Sequence, residues 1–113
     1  MDTLEIVQEA GKSAGTTILR INGPLTLNTL FGFQTAIRQP GLQNLIIDLS
    51  GTPYMDSAGL GAILGQWAHC QRNKVKFSLT GISSRIMTLL EITKTQDLIP
   101  QHATAEEADA AFA

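Results

Sequence analysis

The stretch PYMDSAGLGAIL, residues 53–64, follows the apolar run LIIDL at residues 45–49. A nearly continuous apolar and β-branched run of this length is typical of a central strand that is covered on both faces. From Ser57 onward, apolar side chains recur at the spacing of one helix face, at Leu60, Ile63, Leu64 and Trp67. The sequence therefore predicts a buried strand over 44–49, an exposed turn, and a helix that ends near Asn73.

Upstream of this stretch, the pattern predicts a hairpin and a helix. Two β-like runs, residues 4–10 and 16–22, are joined by GKSAG, whose glycines and serine suit a short hairpin loop. Apolar residues then recur at helical spacing until Pro40-Gly41 ends the pattern, which places a first helix near 28–38.

Downstream of residue 73, predicted strands and helices continue to alternate along the chain. Residues 75–80 alternate as a strand, and a third helix follows behind a serine cap, marked by Ile82, Ile86, Leu89 and Leu90. The segment LIP at 98–100 predicts a short edge strand closed by a proline. Thr104 and Glu107 have capping-box spacing for a terminal helix, with Ala105, Ala108 and Phe112 facing inward.

The predicted element order is β-β-α-β-α-β-α-β-α. A hairpin followed by alternating strands and helices predicts an α/β fold with a mixed, mainly parallel sheet, opened by the hairpin and packed against helices. The length of 113 residues corresponds to one hydrophobic core. We therefore expect a single domain over residues 1–113.

Composition narrows the classes of function. The chain is 43% hydrophobic and 16% charged, which favours a folded globular protein. Its formal net charge of −2 offers no broad positive field for nucleic acid. The N-terminus lacks the features of a secretory leader, and no stretch approaches the roughly 18 apolar residues of a membrane span. We expect a soluble cytoplasmic protein that neither binds nucleic acid nor inserts into a membrane.

The turn before the second predicted helix is a candidate site for phosphate binding or phosphorylation. If that helix begins at Asp56 or Ser57, free backbone N–H groups and the positive end of the helix dipole lie near the Ser57 hydroxyl. Such a position accommodates a phosphate. The alternative is that Asp56 or Ser57 serves only as the helix cap, and the two roles can coexist.

A catalytic role for Ser57 lacks a base. A nucleophile elbow has glycine two residues before the serine, where this chain has Met55. His69 is twelve residues further along the same predicted helix, about 18 Å away at 1.5 Å per residue. His102 is expected to be a solvated loop residue. We therefore predict that the protein is not an enzyme.

No cofactor or metal site is predicted either. The glycines of GLGAILG miss the dinucleotide spacing, and no phosphate loop occurs in the sequence. Small residues at 61, 62 and 65 instead permit a close approach, either by the sheet or by another protein. Asp48 is expected to accept from nearby backbone donors, since Asp48 and Asp56 alone make a thin metal shell. The single cysteine, Cys70, is expected to be buried.

The sequence LIIDLSGTPYMDSAGLGAIL resembles the signature of the STAS domain family of anti-sigma-factor antagonists. The shared features are a hydrophobic strand ending in Asp, a loop, and Asp-Ser-Ala-Gly-Leu-Gly opening an amphipathic helix. The resemblance implies a non-catalytic regulator of transcription. Its partner would be an anti-sigma factor that is also a serine kinase and phosphorylates the serine at Ser57, and a phosphatase would reverse the modification.

The resemblance also implies a partner surface around this turn. Family members commonly carry Asp in the motif Gly-x-Leu-Asp, close to the phosphorylated serine, and Thr26 stands at that position here. Leu27 and Phe31 lie off the apolar stripe of the first helix, so we expect some of these side chains to be exposed and to help form a partner surface with Ser57. The expected partner-binding residues are Asp56, Ser57, Ala58, Gly59, Gly61, Thr26 and Leu27.

Two alternatives remain open at this stage. Other branches of the family serve as STAS modules of membrane-transport or lipid-trafficking complexes. A sensor of a small ligand or nucleotide would use the N-terminus of the same helix.

Overall fold

The computed structural model describes residues 3–113. In this range the strands and helices alternate in the predicted order. Their bounds are β1 Glu5–Ala10, β2 Thr16–Asn22, α1 Leu30–Ile37, β3 Asn44–Gly51, α2 Ser57–Arg72, β4 Lys76–Thr80, α3 Ser84–Ile92, β5 Gln101–His102 and α4 Ala105–Phe112.

The strands form one sheet in the order β1-β2-β3-β4-β5. β1 and β2 are antiparallel and form the predicted hairpin, with Glu5 opposite Asn22. The remaining neighbours are parallel. The predicted α/β class, with a mixed and mainly parallel sheet opened by a hairpin, is therefore confirmed. The parallel arrangement brings the carboxyl ends of β2, β3 and β4 to one edge, where the loops before α1, α2 and α3 begin.

The main core lies between one sheet face and helices α1 to α3. Alternation along β3 sends Leu45, Ile47 and Leu49 to this face. The helices contribute Phe33, Ile37, Leu60, Ile63, Cys70, Ile86 and Leu90, all of them buried. The predicted burial of Cys70 is confirmed. Leu64 and Trp67 are only partly buried and pack against the edge of this core.

Helix α4 covers the opposite face of the sheet. Ala105 and Ala108 pack on Ile18 and Ile46, with Phe112 partly buried beside them. Asp109 is also buried, and its two carboxylate oxygens accept the backbone N–H groups of Lys12 and Ser13 at 2.6 and 3.0 Å. The terminal helix is thus tied to the β1–β2 hairpin loop.

Some predicted boundaries differ from the structure. The segment LIP at 98–100 precedes the last strand, which is Gln101–His102. The Pro100 carbonyl accepts from the Leu79 N–H at 2.9 Å, so pairing with β4 begins only there. α1 begins at Leu30 because the Thr29 hydroxyl donates to the Pro24 carbonyl at 2.8 Å and so holds the preceding turn.

Two predictions for polar residues on the α4 side were wrong. Asp48 accepts from side chains, not from the backbone: its oxygens lie 3.2 Å from Arg20 Nη1, 2.7 Å from Ser50 Oγ and 2.8 Å from Thr80 Oγ1. His102 is not a solvated loop residue. It lies in β5, and its Nδ1 is 2.8 Å from Ser78 Oγ.

Candidate functional site

The turn that leads into α2 is joined to the segment that leads into α1. The Leu25 N–H donates to the Tyr54 carbonyl at 3.1 Å, and the Asp56 N–H donates to the Leu25 carbonyl at 3.2 Å. Leu25 and Met55 form a parallel β-bridge. These backbone contacts hold two loops at the carboxyl edge of the sheet as one surface.

Asp56 is the N-cap of α2. Its Oδ1 accepts the Gly59 N–H at 2.9 Å, and its Oδ2 accepts the Leu27 N–H at 3.0 Å. Burial raises the pKa of this carboxyl, but the backbone N–H donors, first those of Gly59 and Leu27, outweigh it and hold the pKa below the usual 3.8. The charged carboxylate therefore both caps α2 and fixes the segment before α1.

Ser57 is the first residue of α2, and it is exposed. Of the two residues that the sequence offered as caps, Asp56 makes the capping bond, which leaves the Ser57 hydroxyl outside the cap. The helix dipole of a 16-residue helix points its positive end at this position. The hydroxyl is thus both accessible and placed where a phosphate is tolerated.

The small residues at the start of α2 serve different purposes. A Cβ on Gly59 would lie 2.3 Å from the Leu25 carbonyl oxygen, so only glycine lets the two loops approach this closely. A Cβ on Gly61 or Gly65 would meet nothing within 4 Å. The sheet is therefore not what approaches Gly61 and Gly65; both face outward.

Thr26 lies beneath this surface. It is 8% exposed, and its hydroxyl has no hydrogen-bond partner among the described residues. Its backbone N–H donates to the Thr29 hydroxyl at 3.0 Å. Thr26 therefore sits in the loop that Asp56 clamps, next to Leu27, but it presents no free polar atom to solvent.

Two large apolar side chains project from the same loop and from α1. Leu27 is 70% exposed and Phe31 is 81% exposed, as expected from their places off the apolar stripe. Phe33, on that stripe, is fully buried. These two side chains add exposed apolar area to the surface around the turn.

Sequence reasoning did not single out Leu25 or the pair formed by Tyr54 and Arg85. Leu25 supplies the carbonyl against which Gly59 packs. The Arg85 guanidinium lies 4.7 Å from the centre of the Tyr54 ring, linking the start of α3 to the turn before α2. The sequence signals at Leu25 were the Gly-Pro that precedes it and its place as the leucine of the Gly-x-Leu-Asp motif.

The two histidines are placed away from Ser57. His69 lies in the last turn of α2, and His102 contacts Ser78 on the α4 side of the sheet. Across residues 3–113, no three His, Cys, Asp or Glu side chains are grouped as metal ligands. What the turn offers is an exposed hydroxyl on a rigid, partly apolar surface.

Residues 8–108 match the sequence pattern of the STAS domain. The chain belongs to the STAS domain family. An anti-sigma-B factor antagonist of Staphylococcus aureus is 32% identical over 84 residues, which cover 72% of this STAS chain and 78% of that protein. The comparison agrees with the family that the turn sequence indicated.

Solved structures show the same fold. A putative anti-sigma factor antagonist from Thermotoga maritima superposes with a TM-score of 0.83 at 17% identity, covering 94% of this STAS chain and 92% of that one. A murine anion transporter, Solute Carrier 26 family member A9, superposes with a TM-score of 0.70 at 15% identity, covering 99% of this chain and 22% of the transporter. At these identities the likeness concerns the fold alone. No helix in the described part of this STAS domain is long and apolar enough to cross a membrane.

Proposed function

We propose that this STAS domain is a cytoplasmic anti-sigma factor antagonist that is switched at Ser57. The unmodified protein binds an anti-sigma factor that is also a serine kinase, and the sigma factor is thereby released to direct transcription. The kinase phosphorylates Ser57 and ends the contact, and a phosphatase restores it. The name of the Staphylococcus aureus relative supports the antagonist role.

The observation that carries the proposal is the position of the Ser57 hydroxyl. Asp56 satisfies the capping requirement of α2, so the serine is not needed for the helix and stands exposed at its first residue. A kinase can reach such a hydroxyl without unfolding the helix. The partial positive charge of the helix N-terminus then stabilises the phosphate on the folded domain.

The surroundings of Ser57 suit a protein partner. Leu27 and Phe31 supply exposed apolar area, and Gly61 leaves the outer face of α2 free of a side chain, while Gly59 lets the two loops pack together. Asp56, Ala58 and the Thr26 loop complete the proposed partner surface. Burial of apolar side chains of this size contributes about 1.5–3 kcal/mol each to association before its costs are subtracted.

Phosphorylation would end binding through charge. A phosphoserine carries about −1.5 to −2 charges at neutral pH. At Ser57 these charges lie beside the ionised Asp56 and next to apolar side chains that the partner covers. Repulsion and desolvation then weaken the complex without any change in the fold. This switch needs no cofactor bound to the STAS domain, because the ATP that donates the phosphate is bound by the kinase.

The test is capture from a native lysate with three baits: wild type, Ser57→Asp and Ser84→Asp. Ser84 is the matched control because it is also exposed at the first residue of a helix, behind the capping Ser83. We expect wild type and Ser84→Asp to retain one ATP-binding kinase that Ser57→Asp loses. Purified kinase with ATP should then modify wild type at Ser57.

Other outcomes contradict the proposal. Retention of the same kinase by all three baits would remove Ser57 as the control point. Retention of transport or membrane-associated proteins by all three would favour the transport branch of the family. Specific nucleotide binding by the isolated domain would favour a sensor.

A further inference from the structure

A groove of about 600 Å³ runs between α1 and α2. The α1 side carries Gln34 and Arg38, and the α2 side carries Gly61, Gly65, His69 and Arg72. The groove continues the surface around Ser57, because Gly61 lies one helical turn after Ser57 on the same helix. Nothing in the proposed switch accounts for its far end.

The far end of the groove is positively charged. Arg38 follows the last residue of α1, and Arg72 is the last residue of α2. In the described part of the chain, the salt bridges involve only Arg20, so neither Arg38 nor Arg72 has an acidic partner. Among residues 3–113, no Asp or Glu lines the groove. A chain of net charge −2 thus presents an uncompensated basic site here.

The shape of the groove also allows a helix to bind in it. Its floor at Gly61 and Gly65 carries no side chain and faces open space. α1 is eight residues long, about 12 Å at 1.5 Å per residue, so two to three turns of a partner helix fit alongside it. Because no side chain projects at Gly61 and Gly65, the axis of a third helix can approach α2 closely here.

We propose that this groove binds an acidic helical segment of the partner protein. Carboxylates of that segment pair with Arg38 and Arg72, and its backbone passes over Gly61 and Gly65. The inference rests on the proposed function and names the chemistry of the partner.

The test is site-specific photocrosslinking in the native host. A benzoylphenylalanine replaces Gln34 in the groove, Phe31 on the proposed partner surface, or Gln71 as a control; Gln71 lies on α2 but outside the groove. The crosslinked peptides are sequenced. The Gln34 crosslinker is also combined with Arg38→Gln/Arg72→Gln, and with the control pair Lys76→Gln/Lys94→Gln, which removes the same charge elsewhere.

We expect Gln34 adducts on a peptide with net negative charge, and none at Gln71. Arg38→Gln/Arg72→Gln should reduce the Gln34 adduct about fivefold or more, since both charge contacts are lost, whereas the lysine pair should leave it unchanged. Thermal melts of both double variants check that the fold is intact. Higher salt should reduce the wild-type adduct as well.

Each other outcome is decisive. Adducts at Phe31 but not at Gln34 overturn the groove proposal and leave the proposed function standing. Gln34 adducts on a peptide without acidic residues, on nucleic acid, or insensitive to the arginine pair also overturn it. An acidic Gln34 adduct on a protein that is not a kinase supports the groove and contradicts the proposed function. The absence of adducts at both sites contradicts both.

Discussion

The Asp56 carboxylate accepts the Leu27 N–H at 3.0 Å, and so joins the first turn of α2 to the loop before α1. The same side chain accepts the Gly59 N–H at 2.9 Å. One residue therefore fixes the relative positions of the exposed Ser57 and the exposed Leu27. The predictions below test this arrangement and the contacts that support it.

Two substitutions of Asp56 should separate the contribution of its bond to the Gly59 N–H from that of its bond to the Leu27 N–H. Asp56→Ala loses both bonds and should cost about 1–2 kcal/mol in free energy of unfolding, the range for lost helix caps. Asp56→Asn keeps an oxygen that can cap Gly59 but offers an NH₂ group to the Leu27 N–H, so its cost should be smaller. Urea denaturation measures both values. Equal stability of wild type and Asp56→Ala would show that the cap contributes nothing.

Alanine substitutions at two glycines of α2 should change the stability of the protein in opposite directions. Gly59→Ala places a Cβ 2.3 Å from the Leu25 carbonyl oxygen and should destabilise the fold, by about 1–3 kcal/mol as for other overpacked sites. Gly61→Ala meets no atom within 4 Å and should stabilise α2 by up to about 1 kcal/mol through helix propensity. Thermal unfolding compares the pair. A stabilising Gly59→Ala would contradict the close contact of the two loops.

Stability should fall in acid through Asp109. The Ser13 hydroxyl, followed by the Ser13 and Lys12 N–H groups, lowers the pKa of this buried carboxyl below the usual 3.8. A group whose pKa is lower in the folded state contributes stability that is present above the unfolded pKa and is lost as pH falls through the folded one. We expect the urea midpoint to drop progressively below about pH 4.

The control for this pH dependence is an exposed carboxyl outside the helices. Asp109→Asn should lower stability at pH 6 and flatten the acid slope, whereas Asp97→Asn, in an exposed loop, should change neither. An unchanged acid slope in Asp109→Asn would assign the loss to other carboxyls.

Removing the hydroxyl group should change stability in different directions at two threonines of the loop before α1. The Thr26 hydroxyl is buried without a described partner, so Thr26→Val should be neutral or stabilising by about 1 kcal/mol. The Thr29 hydroxyl bonds the Pro24 carbonyl and the Thr26 N–H, so Thr29→Val should cost about 1–3 kcal/mol. Differential scanning calorimetry measures both. A destabilised Thr26→Val would indicate a hydrogen bond that the structure lacks.

Periodicity predicted most of the fold because it reports local burial. The alternation of β4, the apolar run of β3 and the helical stripe of α2 each depend on residues close together in sequence, and all three elements form as predicted. The last strand was misplaced because its position depends on pairing with β4, and that pairing begins at the Pro100 carbonyl.

Polar partners were harder to predict. Asp48 was expected to bond with nearby backbone donors, but its neighbours Arg20 and Thr80 come from adjacent strands. Their identity depends on register across the sheet, which no single strand encodes. For the same reason the sequence offered no sign that Asp109 would hold the hairpin loop, 96 and 97 residues away.

By itself, the sequence determined the order of the elements and placed Ser57 at the start of a helix, because turn residues and helical spacing are local signals. Tertiary structure decided which residue caps that helix and what surrounds the serine. Asp56 takes the cap while its second oxygen reaches Leu27, 29 residues away in the chain. Gly61 and Gly65 face outward because α1 packs beside α2 without covering them. These outcomes depend on contacts between segments that only folding brings together.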